Sequence, residues 1–145
     1  MEKLKGKKKR EVLEALKDYG IEKDIKDIYC DNSSIYILTP KAAELFDYIN
    51  KSNIKCRAGF YLGKIEKEGF RLSFDACQLF SNKIKKYMEV NEDQAKKWFK
   101  GEDIKVIEKE KKGFFILRFK EDFIGCGLLK DGKIKNYVPK DRREK

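Results

Sequence analysis

Past Lys55 the sequence breaks into short apolar segments, each closed by a turn containing glycine, aspartate or asparagine. Phe60 and Leu62 lead into Glu66-Lys67-Glu68-Gly69, and Phe70, Leu72 and Phe74 then alternate with Arg71 and Ser73. That is the pattern of a hairpin with one apolar face. Asp75 to Asn82 reads as a short helical turn and Tyr87–Val90 as a strand. Asn91, with Gln94 three residues on, has the signature of a capping box. The helix behind it buries Ala95, Trp98 and Phe99 and stops at Gly101. Strands are expected at Ile104–Glu108, Phe114–Phe119 and Ile124–Leu129, and Asp131-Gly132 marks a tight turn into a last strand, Ile134–Val138. So many short strands with so little helix leave a small, mostly β, barrel-like domain as the architecture for residues 56–145.

The first 55 residues read differently. Residues 7–19 place Val12, Leu13, Leu16 and Tyr19 on one helical face, with Gly20 as a stop. Asp31-Asn32-Ser33 is a turn signal, and Ile35-Tyr36-Ile37-Leu38 reads as a buried strand. Thr39 caps a helix that has Pro40 at its first position and turns Ala43, Phe46 and Ile49 inward. The fold class expected is therefore α+β: a small α/β domain over residues 1–55, then the β-rich domain over 56–145. With 145 residues at 41% hydrophobic, the chain suffices for one compact domain or two small ones sharing a core.

Composition excludes several chemistries. There is no histidine, so imidazole-dependent catalysis and His-ligated metal sites are ruled out. Cys30, Cys56, Cys77 and Cys126 are too widely spaced for a zinc knuckle or a redox pair, and are expected to act as buried apolar thiols. Gly59…Gly63 lacks the ending of a phosphate-binding loop. Gly125-Cys126-Gly127 lacks the third glycine of a dinucleotide site, which leaves a bulge or a close backbone approach. No carboxylate pair stands apart from the surrounding lysines, and Glu108-Lys109-Glu110-Lys111-Lys112 reads as a solvated hairpin tip. Neither an enzyme nor a cofactor is expected. No apolar run is long enough to span a membrane or serve as a secretory signal, so a cytoplasmic protein without a membrane partner is expected.

The formal net charge is +10, and 23 of the 35 basic residues lie beyond residue 55. Two clusters stand out: Lys3, Lys5, Lys7, Lys8, Lys9 and Arg10 at the start, and Lys130 through Lys145 at the end. Such an excess suits a polyanion, because each phosphate neutralised releases condensed counterions. In the stretch from Lys133 to Arg143, alternation puts Lys133, Lys135 and Tyr137 on one face and Ile134, Asn136 and Val138 on the other. Lysines hold phosphates, arginine grips them bidentately, and an aromatic ring stacks on a base. Nothing resembles a DNA recognition helix, so structured RNA is the expected partner.

Lys97-Trp98-Phe99-Lys100-Gly101-Glu102-Asp103 resembles the helix-to-strand turn of PUA domains, and Phe123-Ile124-Gly125-Cys126-Gly127-Leu128 resembles their hydrophobic-Gly-x-Gly strand. The PUA domain is a compact RNA-binding pseudo-barrel. Gly59-Phe60-Tyr61-Leu62-Gly63-Lys64-Ile65 with Phe70-Arg71-Leu72 resembles the domain junction of the Nip-seven ribosome-biogenesis proteins, in which a small α/β domain precedes the PUA domain. Lys135-Asn136-Tyr137-Val138-Pro139-Lys140 is similar to the end of the PUA domain attached to ribosomal-RNA cytosine methyltransferases, without a methyltransferase domain beside it in this sequence. These resemblances imply non-catalytic RNA binding in ribosome biogenesis and rRNA maturation. Ribosomal RNA is favoured over transfer RNA, and ribosome-assembly proteins would dock on the N-terminal domain. An accessory subunit that presents transfer RNA to a separate modification enzyme is the alternative. The implied RNA contacts are Arg71, Lys97, Lys100, Gly101, Lys130, Lys135, Asn136, Lys140, Arg142 and Arg143.

Overall fold

The computed structural model describes residues 1–22, 25–51, 58–107 and 111–144. Strand β1 (Glu2–Lys3) precedes helix α1 (Gly6–Tyr19), whose buried face is Val12, Leu16 and Tyr19. Gly20 ends that helix at φ +98°, so that its own N–H reaches Lys17 O and that of Ile21 reaches Leu16 O. These are the two bonds of a Schellman cap. Strands β2 (Ile28–Asp31) and β3 (Ser34–Ile37) form a hairpin across the expected turn, and α2 (Pro40–Lys51) follows with Thr39 Oγ1 accepting from Ala42 N–H. Strands β4 (Phe60–Glu66) and β5 (Gly69–Leu72) complete an antiparallel sheet in the order β1-β2-β3-β4-β5. Strands from both sides of residue 55 thus share one sheet, since β3 pairs directly with β4.

Helix α3 (Phe74–Leu79), strand β6 (Met88–Glu89), helix α4 (Glu92–Phe99) and strand β7 (Ile104–Lys105) lead to the long strands β8 (Gly113–Phe119) and β9 (Asp122–Lys130). Strand β10 (Lys133–Lys135) and a single 3-10 turn (Lys140–Arg142) finish the chain. The second sheet has the order β6-β8-β9-β10-β7, antiparallel except for β6 beside β8, and curls into a half-barrel. The α+β architecture is the expected one, with a PUA-like pseudo-barrel in the later part.

Strand β9 is buried on both faces, which is why Phe123 to Leu129 form an unbroken apolar run, and its neighbour β8 is buried on both faces only at Ile116 and Leu117. Ile116, Phe123 and Cys126 face a core shared with Val12, Leu16, Tyr19, Ile35, Leu62 and Leu72. Leu117, Ile124 and Leu129 face a second core around Trp98, Ile104, Ile134 and Val138. A third small cluster, Tyr29, Ala43 and Phe46, seats α2. Tyr19 ties the parts together: its hydroxyl donates to Phe70 O at 2.8 Å and lies 3.8 Å from Cys126 Sγ. That single proton goes to the carbonyl, so the thiol is the donor in the second contact.

Cys77 and Cys126 are buried and unpaired thiols, as expected, whereas Cys30 is only half-buried and Cys56 lies outside the described residues. Burial pushes the Cys126 thiol up to about 11 and raises that of Cys77 as well. Gly125 sits where the β8–β9 register shifts and takes φ +123°, which favours glycine, while a Cβ at Gly127 would collide with Ile134 and the Trp98 indole. Gly125 therefore makes the bulge and Gly127 leaves room for core side chains.

Several expected boundaries move. The last strand stops at Lys135 because Asn136 turns its N–H to the Asp103 carboxylate, 2.8 Å away, and leaves the sheet. The strands expected over Tyr87–Val90 and Ile104–Glu108 pair over only two residues each. The Glu108-to-Glu110 part of the expected hairpin tip lies outside the described residues.

Candidate nucleic-acid interface

Helix α4 sets the position of the site. Its capping box forms as the spacing predicts: Asn91 Oδ1 accepts from Gln94 N–H at 2.8 Å, and Gln94 Oε1 accepts from Asn91 N–H at 2.9 Å. At its other end Gly101, at φ +88°, closes a Schellman cap, with its N–H on Trp98 O and that of Glu102 on Lys97 O. Trp98 is fully buried and donates from Nε1 to Ile124 O at 2.6 Å. This bond pins α4 to β9.

The C-terminal segment packs over this helix end. Arg143 Nε donates to Val138 O at 3.0 Å, its side chain lies across Gly101, and Glu144 N–H donates to Phe99 O at 2.7 Å. Asn136 is spent in the same place: Nδ2 donates to Trp98 O (2.8 Å) and Glu102 O (2.9 Å), and Oδ1 accepts from Val138 N–H (2.8 Å). The sequence reading put Asn136 and Gly101 among the RNA contacts. In the structure Asn136 is a buried clamp of the tail and Gly101 is the seat of Arg143. Alternation had already turned Asn136 toward the inner face, and its amide saturates orphan backbone groups there.

On the opposite side of the strand, the exposed alternation holds. Arg71, on β5, places its guanidinium carbon 4.3 Å from the centroid of the Tyr137 ring, and Lys135 Nζ lies 5.3 Å from the same ring. Arg71 Nε also donates to Glu66 Oε2 at 2.9 Å, so its orientation is held from two sides. Burial raises the neighbouring Tyr61 phenol's pKa, with the Arg71 charge opposing that shift. Across a crevice of about 10 Å³, lined by Trp98, Gly125 and Cys126 and with room for about one water, stands Phe74, with the Arg142 guanidinium carbon 5.7 Å from its centroid. Arg142 Nη2 also reaches Asp75 Oδ1 at 3.1 Å. Two aromatic rings, each with an arginine over it, thus flank one cleft.

Beside the cleft runs a row of lysines. Lys133 is paired across β10 with Lys130 on β9 and with Lys105 on β7, while Ile134, Leu129 and Ile104 turn inward from the same strands. Same-face neighbours two residues apart put Lys135 next in the row. Like charges opposite one another in a sheet are destabilising, and Asp103, 3.5 Å from Lys133 Nζ, neutralises only part of the row. Lys97 and Lys100 are exposed at the end of α4, and Lys140 is exposed in the 3-10 turn. Of the expected contacts, the structure groups Arg71, Lys130, Lys135 and Arg142 around the cleft and its lysine row. Sequence reasoning missed Phe74, which it read as a core residue, and left Lys105 and Lys133 out of the contact set. The pairing of Lys105 follows from a register that no local pattern announces.

Comparison with known proteins bears on the same part of the chain. Residues 85–144 match the family described as methyltransferase RsmF PUA domain. Ribosomal RNA small subunit methyltransferase F of Vibrio cholerae is 29% identical over 86 residues, 59% of this chain and 18% of that protein. The Vibrio vulnificus enzyme of the same name is 34% identical over 86 residues, again 18% of its length. That of Psychromonas ingrahamii is 24% identical over 116 residues, covering 79% of this chain and 24% of the enzyme. The chain thus spans about a fifth of the length of these curated relatives. The likeness supports a PUA domain and the methyltransferase-linked resemblance, and gives no support to the Nip-seven one.

Proposed function

With a PUA domain over residues 85–144 as the premise, we propose that this protein binds structured RNA, ribosomal RNA in the first instance, and holds it during maturation without transforming it. One observation carries the reading: the cleft between Tyr137 and Phe74, with Arg71 and Arg142 over the rings and the Lys105–Lys133–Lys130 row beside it. The crevice of about 10 Å³ between the rings is too small for a base, so unpaired bases would stack on their solvent-exposed parts while the surrounding cations hold the backbone. Ribosomal RNA is favoured because the relatives carrying the matched stretch are named as ribosomal RNA methyltransferases. A non-catalytic role is in keeping with thiols that burial keeps protonated near neutral pH. The N-terminal sheet and its helices would serve assembly proteins as a docking surface.

The test is fluorescence-anisotropy binding to a ribosomal-RNA stem-loop, a transfer RNA and a DNA duplex over a salt series. Preference for structured RNA, with affinity falling by about 10³-fold or more between about 50 and 200 mM salt, supports the reading. Weak binding that treats RNA and DNA alike removes it. A second reading has one observation of its own: the matched stretch forms 18% of a modifying enzyme in Vibrio cholerae. On that reading the chain presents RNA to a separate modification enzyme. Co-purification with such an enzyme, and not with pre-ribosomal particles, would select it.

A further inference from the structure

The first basic cluster of the sequence has no place in the cleft just described. Lys3 and Lys5 flank the buried Leu4 at the β1 edge, and Lys7, Lys8, Lys9 and Arg10 ring the first turns of α1. Among the described residues none of the six is ion-paired, although exposed Glu2 and Glu11 lie within the same stretch. Arg71, Lys86, Lys96, Lys133 and Arg142 each have a carboxylate partner, while Lys97, Lys100 and Lys130 share the lack of one among the described residues, so it is the density of the six that sets them apart. The first turn of α1 also departs from the favoured charge order, although its last turn holds Lys17. Helix α4 carries Glu92 and Asp93 in its first turn and Lys96 and Lys97 in its last, as the helix dipole favours. The first turn of α1 carries lysines and no acid. Glu2 and Glu11 offset only part of this positive charge, and an external polyanion would offset the rest.

The position of the cluster indicates which polyanion. Helix α1 starts beside the edge strand β1, where Leu4 N–H donates to Ile28 O, and ends where Tyr19 reaches Phe70 on β5. Its 14 residues span about 21 Å. Four inter-strand steps from β1 to β5 give about 19 Å. Helix α1 covers the face of the sheet that carries Phe70 and Leu72, and Arg71 alternates to the other face, so the six cations lie about 20 Å or more from Arg71 and are reached past the β1 edge. A free small anion would occupy one such patch, whereas an RNA long enough to leave the cleft and turn past that edge meets both.

We infer that Lys3, Lys5, Lys7, Lys8, Lys9 and Arg10 form a second, sequence-independent contact with the backbone of the same RNA that the cleft binds. The inference rests on the RNA-binding reading above and extends its footprint from the barrel to the far edge of the first sheet. These lysines supply affinity and salt dependence, and the cleft supplies selection.

The test uses the full chain with an RNA stem-loop of about 16 base pairs. Its readouts are anisotropy over a potassium chloride series and hydroxyl-radical footprinting. The variants are Lys7→Gln/Lys8→Gln/Lys9→Gln and, to keep the charge, Lys7→Arg/Lys8→Arg/Lys9→Arg. The expected result for the glutamine variant is about 10- to 100-fold weaker binding at about 100 mM salt and a log–log salt slope shallower by about 2. It also loses one end of the protected backbone and keeps the segment at the cleft, and the arginine variant restores both. If the glutamine variant keeps wild-type affinity, slope and footprint while Tyr137→Ala weakens binding, the second contact is overturned and the RNA-binding reading stands. Uniform weakening with an unchanged footprint also overturns direct contact and leaves only a long-range field. If the unaltered chain protects no RNA, both readings fall together.

Discussion

The guanidinium of Arg71 lies 4.3 Å above the ring of Tyr137 while its Nε holds Glu66 at 2.9 Å. The two residues are far apart in the chain, one on β5 of the first sheet and the other just beyond β10 of the second. Their stacking carries the first sheet into the wall of the candidate interface. The same ring also lies 6.0 Å from that of Phe114, centroid to centroid.

Tyr137→Ala should weaken binding of structured RNA by about 10-fold, the loss expected of one stacked base, with little effect on stability because the ring is half-exposed. Tyr137→Phe should retain most of the affinity. Anisotropy with a ribosomal-RNA stem-loop reads both, and equal losses in the two variants would assign the role to the hydroxyl rather than the ring.

Lys130→Glu places an acid directly opposite Lys133 in the sheet. Removing that like-charge pair should stabilise the fold by up to about 0.5–1 kcal/mol, while RNA affinity falls by about 10-fold or more. Denaturant midpoints and binding curves should therefore move in opposite directions. Parallel loss of both would mean that the lysine row is structural.

Asp75 competes with any phosphate for Arg142, which it meets at 3.1 Å on a half-exposed surface. Asp75→Asn should raise RNA affinity about 2- to 5-fold and change stability by less than about 1 kcal/mol. Lower affinity would show that Asp75 positions Arg142 for the contact.

Asn136 offers the opposite test. Asn136→Ala leaves the carbonyls of Trp98 and Glu102 and the N–H of Val138 without their partner. Each lost bond at a buried group costs about 1 kcal/mol or more, so about 3 kcal/mol should be lost in all. The one tryptophan of the chain, Trp98, lies beside this clamp, so its emission reports the unfolding directly. A variant of unchanged midpoint would refute the clamp.

Alkaline pH should destabilise the protein through Cys126. Burial pushes its thiol up to about 11 in the fold, whereas an unfolded thiol ionises at its ordinary, lower value. Above that ordinary value the unfolded chain binds fewer protons than the native one, so stability falls as pH rises. The contribution is complete below about pH 8.5 and lost by about pH 11, on the order of 2–3 kcal/mol. Tyr19, raised by burial, acts in the same direction at still higher pH. Urea midpoints between pH 7 and 11 measure the slope. Thiol labelling at pH 8 should reach Cys30 well before Cys77 or Cys126.

The elements themselves are legible in the sequence because they rest on local rules. Pro40 behind Thr39, Asn91 with Gln94, Gly20 and Gly101 as helix stops, and Asp131-Gly132 between two strands each act within a few residues. The inward and outward faces of Lys133 to Val138 follow from period-two alternation in the same way. Local chemistry thus determined the α+β class, the basic character and most of the cations at the interface. Tertiary structure decided the rest. Only the pairing of β3 with β4 joins the two compositional halves into one sheet, and only register sets Lys105 beside Lys133. Alternation turns Asn136 inward, yet it becomes a clamp only because the end of α4 leaves two carbonyls within its reach. Phe74 reads as core, yet it flanks the cleft because its chain turns into α3 at that point. Such outcomes depend on which distant groups arrive unsatisfied at the same place, and sequence spacing carries no record of that.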